Sequence, residues 1–465
     1  MDETAPRLGA DLPAPAPAPA RAPAPPGSQG RGARIALFPE ASFGSALNCV
    51  GIAQALRARG AEPVFICHDG FNGVFADYGF TEYALDTGGT PADRDGYWAT
   101  FIARHQPHFR LSPLDQIETY VAPAWDAIID TAEAAERPLE QLLDRLRPDA
   151  VVLDNVVMFP AIARSGIPWV RVVSCADTEL PDADVPPYMS GLGHGERHLW
   201  SAFAARYTEA LAPLHRRYNR FRESCGLAPL AAGQFLEASP ALNLLLSPTS
   251  VRHRRRQPLD PERFCYLDGC VRAESPFVCP PFPRHADRPL VFVSFGSLGA
   301  VDVDLISRML AVFARLPCRF LVNVGAYLDR YDQVPDNVAI NGWFPQPSVV
   351  AEADLFIHHG GNNSFCEALY FGVPSLVMPF CWDGHDNAVR AEETGTGARL
   401  PRYDWREEDL AAAIGRLIAD EALKARLTVA ARHMQAADGA GVAAERILQA
   451  ARSRATAGGQ RFAGP

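Results

Sequence analysis

The sequence lacks any stretch near the roughly 18 uninterrupted apolar residues of a membrane-spanning helix, although 48% of its 465 residues are hydrophobic. It also lacks a basic excess. The 44 Lys and Arg residues against 54 Asp and Glu leave a net charge of −10, so no general positive field favours nucleic acid or an anionic membrane. The ten cysteines form no Cys-x-x-Cys pair, and we interpret them as reduced, mostly buried side chains of a cytoplasmic protein. A membrane protein, a disordered chain and a small disulfide scaffold are thereby excluded.

The first 33 residues carry no apolar period. Residues 12–26 alternate Ala and Pro, and glycines follow at 27, 30 and 32. Such a composition favours polyproline II, which buries no surface. The acidic start, with no apolar segment after it, does not indicate a secretory signal. We therefore predict a disordered tail over 1–33, and a second flexible tail over 453–465.

From residue 34 onward, short apolar runs alternate with helical stretches, and the pattern occurs twice. We predict strands at 33–39, 62–67, 150–153, 169–173 and 241–246, and then at 290–294, 319–324, 338–342, 354–358 and 375–378. The proline-rich stretch 275–289 between the two sets is predicted to be a linker. The alternation predicts an α/β fold of two Rossmann-like, doubly wound parallel-sheet domains, 34–274 and 290–452, which face a common cleft. We expect the last helix to pack back on the N-terminal domain.

The residues that carry chemistry follow two strands of the second set. One strand runs into Gly296-Ser297, where glycine lets the backbone approach a ligand closely. The other ends at His358-His359 and is followed by Gly360-Gly361, with Asn362-Asn363-Ser364 opening a helix. Imidazole, glycine backbone and polar caps around one helix N-terminus form a diphosphate site that needs no metal. Glu367 lies one helical turn beyond Asn363, where a carboxylate accepts hydrogen bonds from a ribose diol.

The stretch from Trp343 to Asn387 resembles the C-terminal signature of the UDP-glycosyltransferase superfamily, whose members share the two-domain GT-B fold. The resemblance rests on Trp343-Phe344-Pro345-Gln346, His359-Gly360-Gly361-Asn362-Asn363-Ser364, Glu367, Gly372-Val373-Pro374, Asp383 and Asn387-Ala388. It implies that Trp343 stacks on the nucleobase, that Gln346 helps to hold the nucleotide and that Glu367 binds the ribose. It implies that a diphosphate site is formed by Gly296, Ser297, His359, Gly361, Asn363 and Ser364. It implies that the sugar is contacted by Asp383, Gly384 and Asn387.

Two positions depart from the pattern of the superfamily. Its members usually have Gln after the sugar-binding Asp, whereas this chain has Gly384 after Asp383. The missing amide removes one or two hydrogen bonds to the sugar, so the donor preference is expected to differ from ordinary glucose. The neighbours His385 and Asp386 are candidates to replace it.

The second departure concerns the general base. Members of the superfamily carry a histidine after the glycine that corresponds to Gly44, and that histidine deprotonates the acceptor; here the position is Ser45. The aspartate that orients the histidine corresponds to Asp154. Three interpretations are open: Asp154 is itself the base, the acceptor needs no strong base, or the protein binds the donor without turning it over.

The resemblance implies an inverting transfer of a sugar from a nucleoside diphosphate to a small-molecule acceptor, as in natural-product biosynthesis. Tryptophan at position 343 favours UDP over dTDP as the nucleotide. The chain is expected to need no metal and no cofactor besides the nucleotide-sugar co-substrate, and to bind no nucleic acid. A catalytically impaired nucleotide-sugar-binding helper protein is the alternative. A sugar-nucleotide epimerase ranks last, because no paired acid and base is found for it.

Overall fold

A computed structural model describes residues 32–68, 71–88 and 100–459, with side chains up to residue 452 in the last helix. Apart from residues 32 and 33, the predicted N-terminal tail lies outside the described residues, as do residues 460–465. The last helix runs to Gly459, beyond the boundary that we predicted at residue 452.

The N-terminal half forms one parallel sheet with the predicted alternation of strands and helices. Its strands are β1 (Arg34–Pro39), β2 (Glu62–Cys67), β3 (Thr81–Ala84), β4 (Ala150–Asp154), β5 (Trp169–Val173), β6 (Leu242–Leu245) and β7 (Phe264–Tyr266). They pair in parallel in the order β3-β2-β1-β4-β5-β6-β7. The order runs outward in both directions from β1 and β4, so the sheet is doubly wound.

The C-terminal half repeats this architecture. Its strands are β8 (Leu290–Ser294), β9 (Arg319–Asn323), β10 (Val338–Asn341), β11 (Leu355–His358), β12 (Ser375–Val377) and β13 (Gly397–Arg399). They pair in parallel in the order β10-β9-β8-β11-β12-β13. The two predicted doubly wound sheets are confirmed.

Helices cover both faces of each sheet. In the N-terminal half they are α1 (Phe43–Ala58), α2 (Pro113–Gln116), α3 (Ala122–Leu146), α4 (Pro160–Arg164) and α5 (Arg197–Ser224), with a π-helical stretch at Ile117–Val121 and 3-10 turns at Ala76–Tyr78, Gln106–Arg110, Asp177–Glu179 and His194–Glu196. In the C-terminal half they are α6 (Gly296–Gly299), α7 (Val303–Phe313), α8 (Gln346–Val350), α9 (Asn362–Phe371), α10 (Gly384–Glu393), α11 (Glu407–Ala419), α12 (Glu421–Ala437) and α13 (Gly439–Gly459), with a 3-10 turn at Gly325–Arg330.

Alternate residues of the central strands enter different hydrophobic layers. Ile35 and Leu37 of β1 pack in one layer, and Ala36 and Phe38 pack in the layer on the opposite face. A strand buried on both faces reads as a continuous apolar run, which is why β1 could be predicted from the sequence. The last helix, α13, packs against α1 of the N-terminal half, and Ile447 is fully buried there.

The strands missed by the sequence analysis, β3, β7 and β13, lie at sheet edges. They have three or four residues each and are only partly buried. An edge strand with one solvated side needs no long apolar run, so its sequence carries a weak signal. None of the helices among the described residues is both long and apolar enough to cross a membrane.

Candidate active site in the cleft between the two sheets

The carboxyl ends of the central strands from both sheets meet across the cleft. In the first sheet Pro39 of β1 lies opposite Asp154 of β4, and in the second Ser294 of β8 lies opposite His358 of β11. The Asn362 side chain, at the start of α9, donates to the carbonyl oxygens of Ser174 (3.0 Å) and Leu246 (2.8 Å) in the N-terminal half. Ligands of doubly wound sheets bind at such strand ends, so this cleft is the candidate active site.

Ser45, at the position of the superfamily's base, ties two strand ends together. Its hydroxyl accepts from the backbone N–H of Glu40 (3.2 Å) and donates to the carbonyl oxygen of Asp154 (2.9 Å). The side chain is buried in the first turn of α1. An alcohol oxygen is too weakly basic to take a proton from an acceptor, and both hydrogen bonds of this hydroxyl are to backbone groups, so the geometry gives Ser45 a structural role.

Asp154 is enclosed on all sides, with 2% of its surface exposed. One carboxyl oxygen accepts from Ser174 Oγ (2.6 Å), and the other lies 3.8 Å from the thiol of Cys49. Burial raises the pKa of Asp154 to about 8, against the hydrogen bond from Ser174. The side chain therefore holds its proton at neutral pH, which is the wrong state for a base.

The Asp154→Asn variant is expected to be more stable than the parent protein at alkaline pH. The folded-state pKa, about 8, is higher than the usual value of 3.8, so the folded protein holds a proton that the unfolded chain loses. Stability is therefore lost as pH rises toward 8, and the neutral amide removes this loss. We expect a melting temperature higher by about 3–6 °C above pH 8 and unchanged near pH 4, measured by calorimetry. An equal shift at both pH values would contradict the protonated Asp154.

Three further carboxylates surround this strand end, and each has different partners. Glu179 accepts from Arg171 Nη2 at 2.5 Å, and Asp383 accepts from the backbone N–H of Asn362 at 3.3 Å. The Glu40 carboxylate, directly after β1, accepts from the Ser42 hydroxyl at 3.3 Å. Glu40 and Glu179 were missed by the sequence analysis, although a charged residue directly after a central parallel strand is a signal for the cleft.

The predicted nucleotide residues assemble at the start of α8 and α9. The Gln346 amide donates to Ser364 Oγ (3.1 Å) and to Glu367 Oε2 (2.6 Å). Trp343 is 47% exposed, and its ring lies 6.0 Å from that of Phe43 in the N-terminal half. An exposed indole is a suitable surface for a nucleobase, and a carboxylate such as that of Glu367 is suited to accept hydrogen bonds from a ribose diol.

His359 packs against the glycines that were predicted with it. A Cβ atom at Gly361 would lie 2.5 Å from His359 Nε2, and one at Gly296, where φ is +68°, would lie 3.1 Å from its Cε1. Burial, with the charge of Arg402, lowers the pKa of His359 to about 4, so the imidazole is neutral. Its Nδ1 has no hydrogen-bond partner among the described residues.

The remaining predicted diphosphate residues border the loop of Gly360 and Gly361, which we call the diphosphate loop. Ser297 is exposed on α6, and Asn363 is partly exposed in the first turn of α9. Asn363 also lines a small cavity between the two halves, together with Asn48 and Cys270. The start of a helix can bind an anion through its backbone N–H groups; in α9 the N–H of Asn362 donates to the Asp383 carboxylate at 3.3 Å.

The predicted sugar-binding residues divide into two groups. Burial, with the nearby Asp386 charge, raises the pKa of Asp383 to about 7, and this carboxyl borders the cleft. Gly384 instead packs against the backbone of the diphosphate loop, and the Asn387 amide donates to the Gly360 carbonyl at 2.8 Å. The geometry gives Gly384 and Asn387 a role in holding this loop and lends no support to a direct sugar contact.

The side chains of both candidates for the missing glutamine, Asp386 and His385, already have hydrogen-bond partners within the protein. Asp386 accepts from Thr178 Oγ1 (2.6 Å) and from the backbone N–H groups of Met189 and Gly191 (both 2.8 Å). The His385 ring lies 3.3 Å from the Gln116 side chain. Both residues therefore join the two halves of the protein, and neither replaces the sugar-binding amide.

Arg272 is the residue of the site that the sequence analysis missed entirely. It lies in the connection between β7 and β8, with 1% of its side chain exposed, and its Nη1 bonds Glu367 Oε1 at 2.8 Å. Its Nε bonds Glu274 at 2.6 Å, while its Nη2 is buried without a partner in the described part of the chain. Burial raises the pKa of Glu367, and Arg272 and Gln346 oppose that rise. The connection between the sheets thus supplies a cation to Glu367, the carboxylate that we predicted to bind the ribose.

Comparison with known proteins agrees with this geometry. A family model for the C-terminal domain of erythromycin biosynthesis protein CIII-like proteins matches residues 308–446. The chain is 24% identical to demethyllactenocin mycarosyltransferase of Streptomyces fradiae, over 90% of this chain and 86% of that protein. It is 28% identical to NDP-glycosyltransferase YjiC of Bacillus subtilis, over 47% of this chain and only 56% of that protein.

Solved structures show the same fold along nearly the whole chain. The glycotransferase of kitacinnamycin has a TM-score of 0.68 and 22% identity, covering 90% of this chain and 99% of that one. Glycosyltransferase VinC, solved in complex with dTDP, has a TM-score of 0.62 and 19% identity, covering 90% of this chain and 100% of that one. The predicted GT-B fold is confirmed. The chain is thus similar to glycosyltransferases of bacterial natural-product biosynthesis and shares their fold.

Proposed function

We propose that this protein transfers a sugar from a nucleoside diphosphate, with UDP favoured, to a small-molecule acceptor of natural-product biosynthesis, with inversion at the anomeric carbon. The observation that carries the proposal is the convergence of Trp343, Gln346, Ser364 and Glu367 beside the neutral His359 at the start of α9. This arrangement offers one surface each to a nucleobase, a ribose and a diphosphate. The binding of dTDP by VinC supports a thymidine nucleotide as the alternative donor.

The mechanism follows from where charge develops. As the acceptor attacks the anomeric carbon, the bond to the diphosphate breaks and the negative charge on the leaving group increases. The N–H groups that open α9 and the neutral imidazole of His359 donate hydrogen bonds to that charge without a metal ion. The acceptor occupies the N-terminal half and approaches the face opposite the leaving group, which is the geometry of inversion. Tight contacts between the halves, such as Trp382 Nε1 to Tyr120 Oη at 2.9 Å, keep water from the donor.

A donor screen tests this function directly. The full-length protein is incubated with UDP-sugars and dTDP-sugars, and release of the nucleoside diphosphate is measured with and without a panel of phenolic, alcoholic and aminic acceptors. We expect slow release from one donor and faster release with one acceptor class. Tight donor binding without release under any condition supports the helper-protein alternative, and absence of both binding and release contradicts the assignment altogether.

Replacement of Trp343 by alanine is expected to weaken UDP binding about 10- to 100-fold, because base–aromatic stacking contributes about 1–3 kcal/mol. The exposed indole supports no core that its removal would disturb. Calorimetric titration measures the dissociation constants of UDP and of inorganic pyrophosphate, which has no base. Pyrophosphate binding should be unchanged, and Trp343→Phe should recover most of the affinity. Equal losses for both ligands would contradict the stacking role.

A further inference from the structure

The cleft contains a carboxylate whose surroundings differ from those of its neighbours. Glu40 follows β1 directly, and its backbone N–H donates to the carbonyl oxygen of Asp154 at 2.7 Å. Its side chain is partly exposed, whereas Asp154 is buried. Both residues lie at the ends of the same pair of strands, and Glu40 is the one that is accessible from the cleft.

The partners of the other carboxylates leave Glu40 as the available proton acceptor. Asp154 is bonded by a hydroxyl, Glu179 by the guanidinium of Arg171, and Asp383 by a backbone N–H of α9. Among the described residues, the Glu40 carboxylate has one hydrogen-bond partner, the hydroxyl of Ser42 at 3.3 Å. No cation pairs with Glu40 in that part of the chain, so nothing there holds it permanently ionised, and the single hydrogen bond from Ser42 leaves other lone pairs of the carboxylate available.

We propose that Glu40 is the general base of this enzyme. It takes the role of the superfamily's histidine, whose position is occupied by Ser45 in this chain. The inference rests on the proposed function. As the acceptor oxygen bonds to the anomeric carbon, its proton moves to the Glu40 carboxylate, and the bond between that carbon and the diphosphate oxygen breaks. The electron pair leaves with the diphosphate, so the step needs no further reactant. Ser45 contributes by fixing the Glu40 backbone at 3.2 Å.

The titration of Glu40 is compatible with this role. Burial raises the pKa of Glu40 to about 7, and Glu179 adds to the rise while Ser42 opposes it. The charge of Glu40 also contributes to the raised pKa values of Asp154, Tyr120 and Cys175. A base near neutral pH combines a large ionised fraction with enough basicity to accept a proton. The rate should therefore rise as pH rises through about 7.

Donor solvolysis tests the base without knowledge of the natural acceptor. The probes are water, which must lose a proton when it attacks, and azide, which has none to lose. Release of UDP or dTDP from the donor is measured across pH for the parent protein, Glu40→Gln and the exposed control Glu209→Gln on α5. We expect Glu40→Gln to slow hydrolysis about 100-fold or more, to abolish the rise with pH, and to leave azide transfer within a few-fold of the parent.

Each outcome distinguishes the alternatives. Equal loss of hydrolysis and azide transfer in Glu40→Gln means a structural role and overturns the inference, as does hydrolysis at the parental rate. In Asp154→Asn we expect the pH-dependent rise to persist at about the same pH, because Asp154 is already protonated where Glu40 titrates. Loss of the rise in Asp154→Asn alone assigns the base to Asp154. If the parent protein releases nothing to water, to azide or to any acceptor of the donor screen, the proposed function fails, and with it the inference; release with an acceptor alone keeps the proposed function, and the pH dependence of that release in Glu40→Gln then decides the inference.

Discussion

Replacement of Arg272 by methionine is expected to lower the free energy of unfolding by about 3–5 kcal/mol. The change leaves two buried carboxylates, Glu274 and Glu367, without the guanidinium that bonds both of them. The desolvation of these charges is then uncompensated, which makes removal of one partner costlier than the pair itself is stabilising. The variant also loses the cation that opposes the burial-induced rise in the pKa of Glu367, so UDP binding should weaken together with stability.

The measurement is denaturant unfolding followed by circular dichroism, with Arg315→Met as the matched control. Arg315 bonds Glu407 at 2.5 Å, but its side chain is 59% exposed, and exposed pairs contribute about 0–1 kcal/mol. A shift in Arg272→Met no larger than that in Arg315→Met would show that water replaces the guanidinium. In that case the connection between the sheets has no energetic link to the ribose site.

Restoring the superfamily's glutamine by Gly384→Gln is expected to impair the protein instead of improving it. A Cβ atom at this position would lie 2.6 Å from the carbonyl oxygen of His359, closer than real contacts allow. Gly360, at φ +91°, meets Gly384 from the other side and cannot move away freely. We expect a loss of about 1–3 kcal/mol in stability and at least about tenfold weaker UDP binding, because the diphosphate loop must shift.

Gly415→Gln is the control for this change. Gly415 lies within α11, and a Cβ atom there meets nothing within 4 Å. Titration of UDP and thermal unfolding of both variants separate a general effect of the larger side chain from a local one at the loop. Tighter binding of UDP-glucose by Gly384→Gln would show that the loop adapts and that the amide recovers its contact with the sugar.

Much of the fold followed from local patterns. The central strands are buried on both faces and therefore appear as apolar runs, and their predicted limits are within one or two residues of β1, β4, β8 and β11. The edge strands β3, β7 and β13 escaped prediction because their sequences need no such run. Most of the predicted nucleotide residues are clustered in the chain between Trp343 and Glu367, which made them recognisable as a group.

The predicted sugar contacts of Gly384 and Asn387 have less support from the structure, for a physical reason. Asn387 and Gly384 stand where the superfamily places its sugar contacts, yet hydrogen bonding and close packing commit them to the diphosphate loop. Position in a motif indicates where a residue lies along the chain. It does not indicate whether a neighbouring backbone atom has already taken its hydrogen bond.

The sequence by itself predicted the two doubly wound sheets, which the fold confirms, and a set of nucleotide residues, which stays a prediction, since apolar runs and motifs are local features of the chain. Only the tertiary structure decided the state of the charged groups. Arg272 meets Glu367 across 95 positions, and Ser45 meets Asp154 across 109. Which carboxylate is buried, paired or free is set by the strand ends and connections that fold around it, and that environment separates the buried Asp154 from the available Glu40.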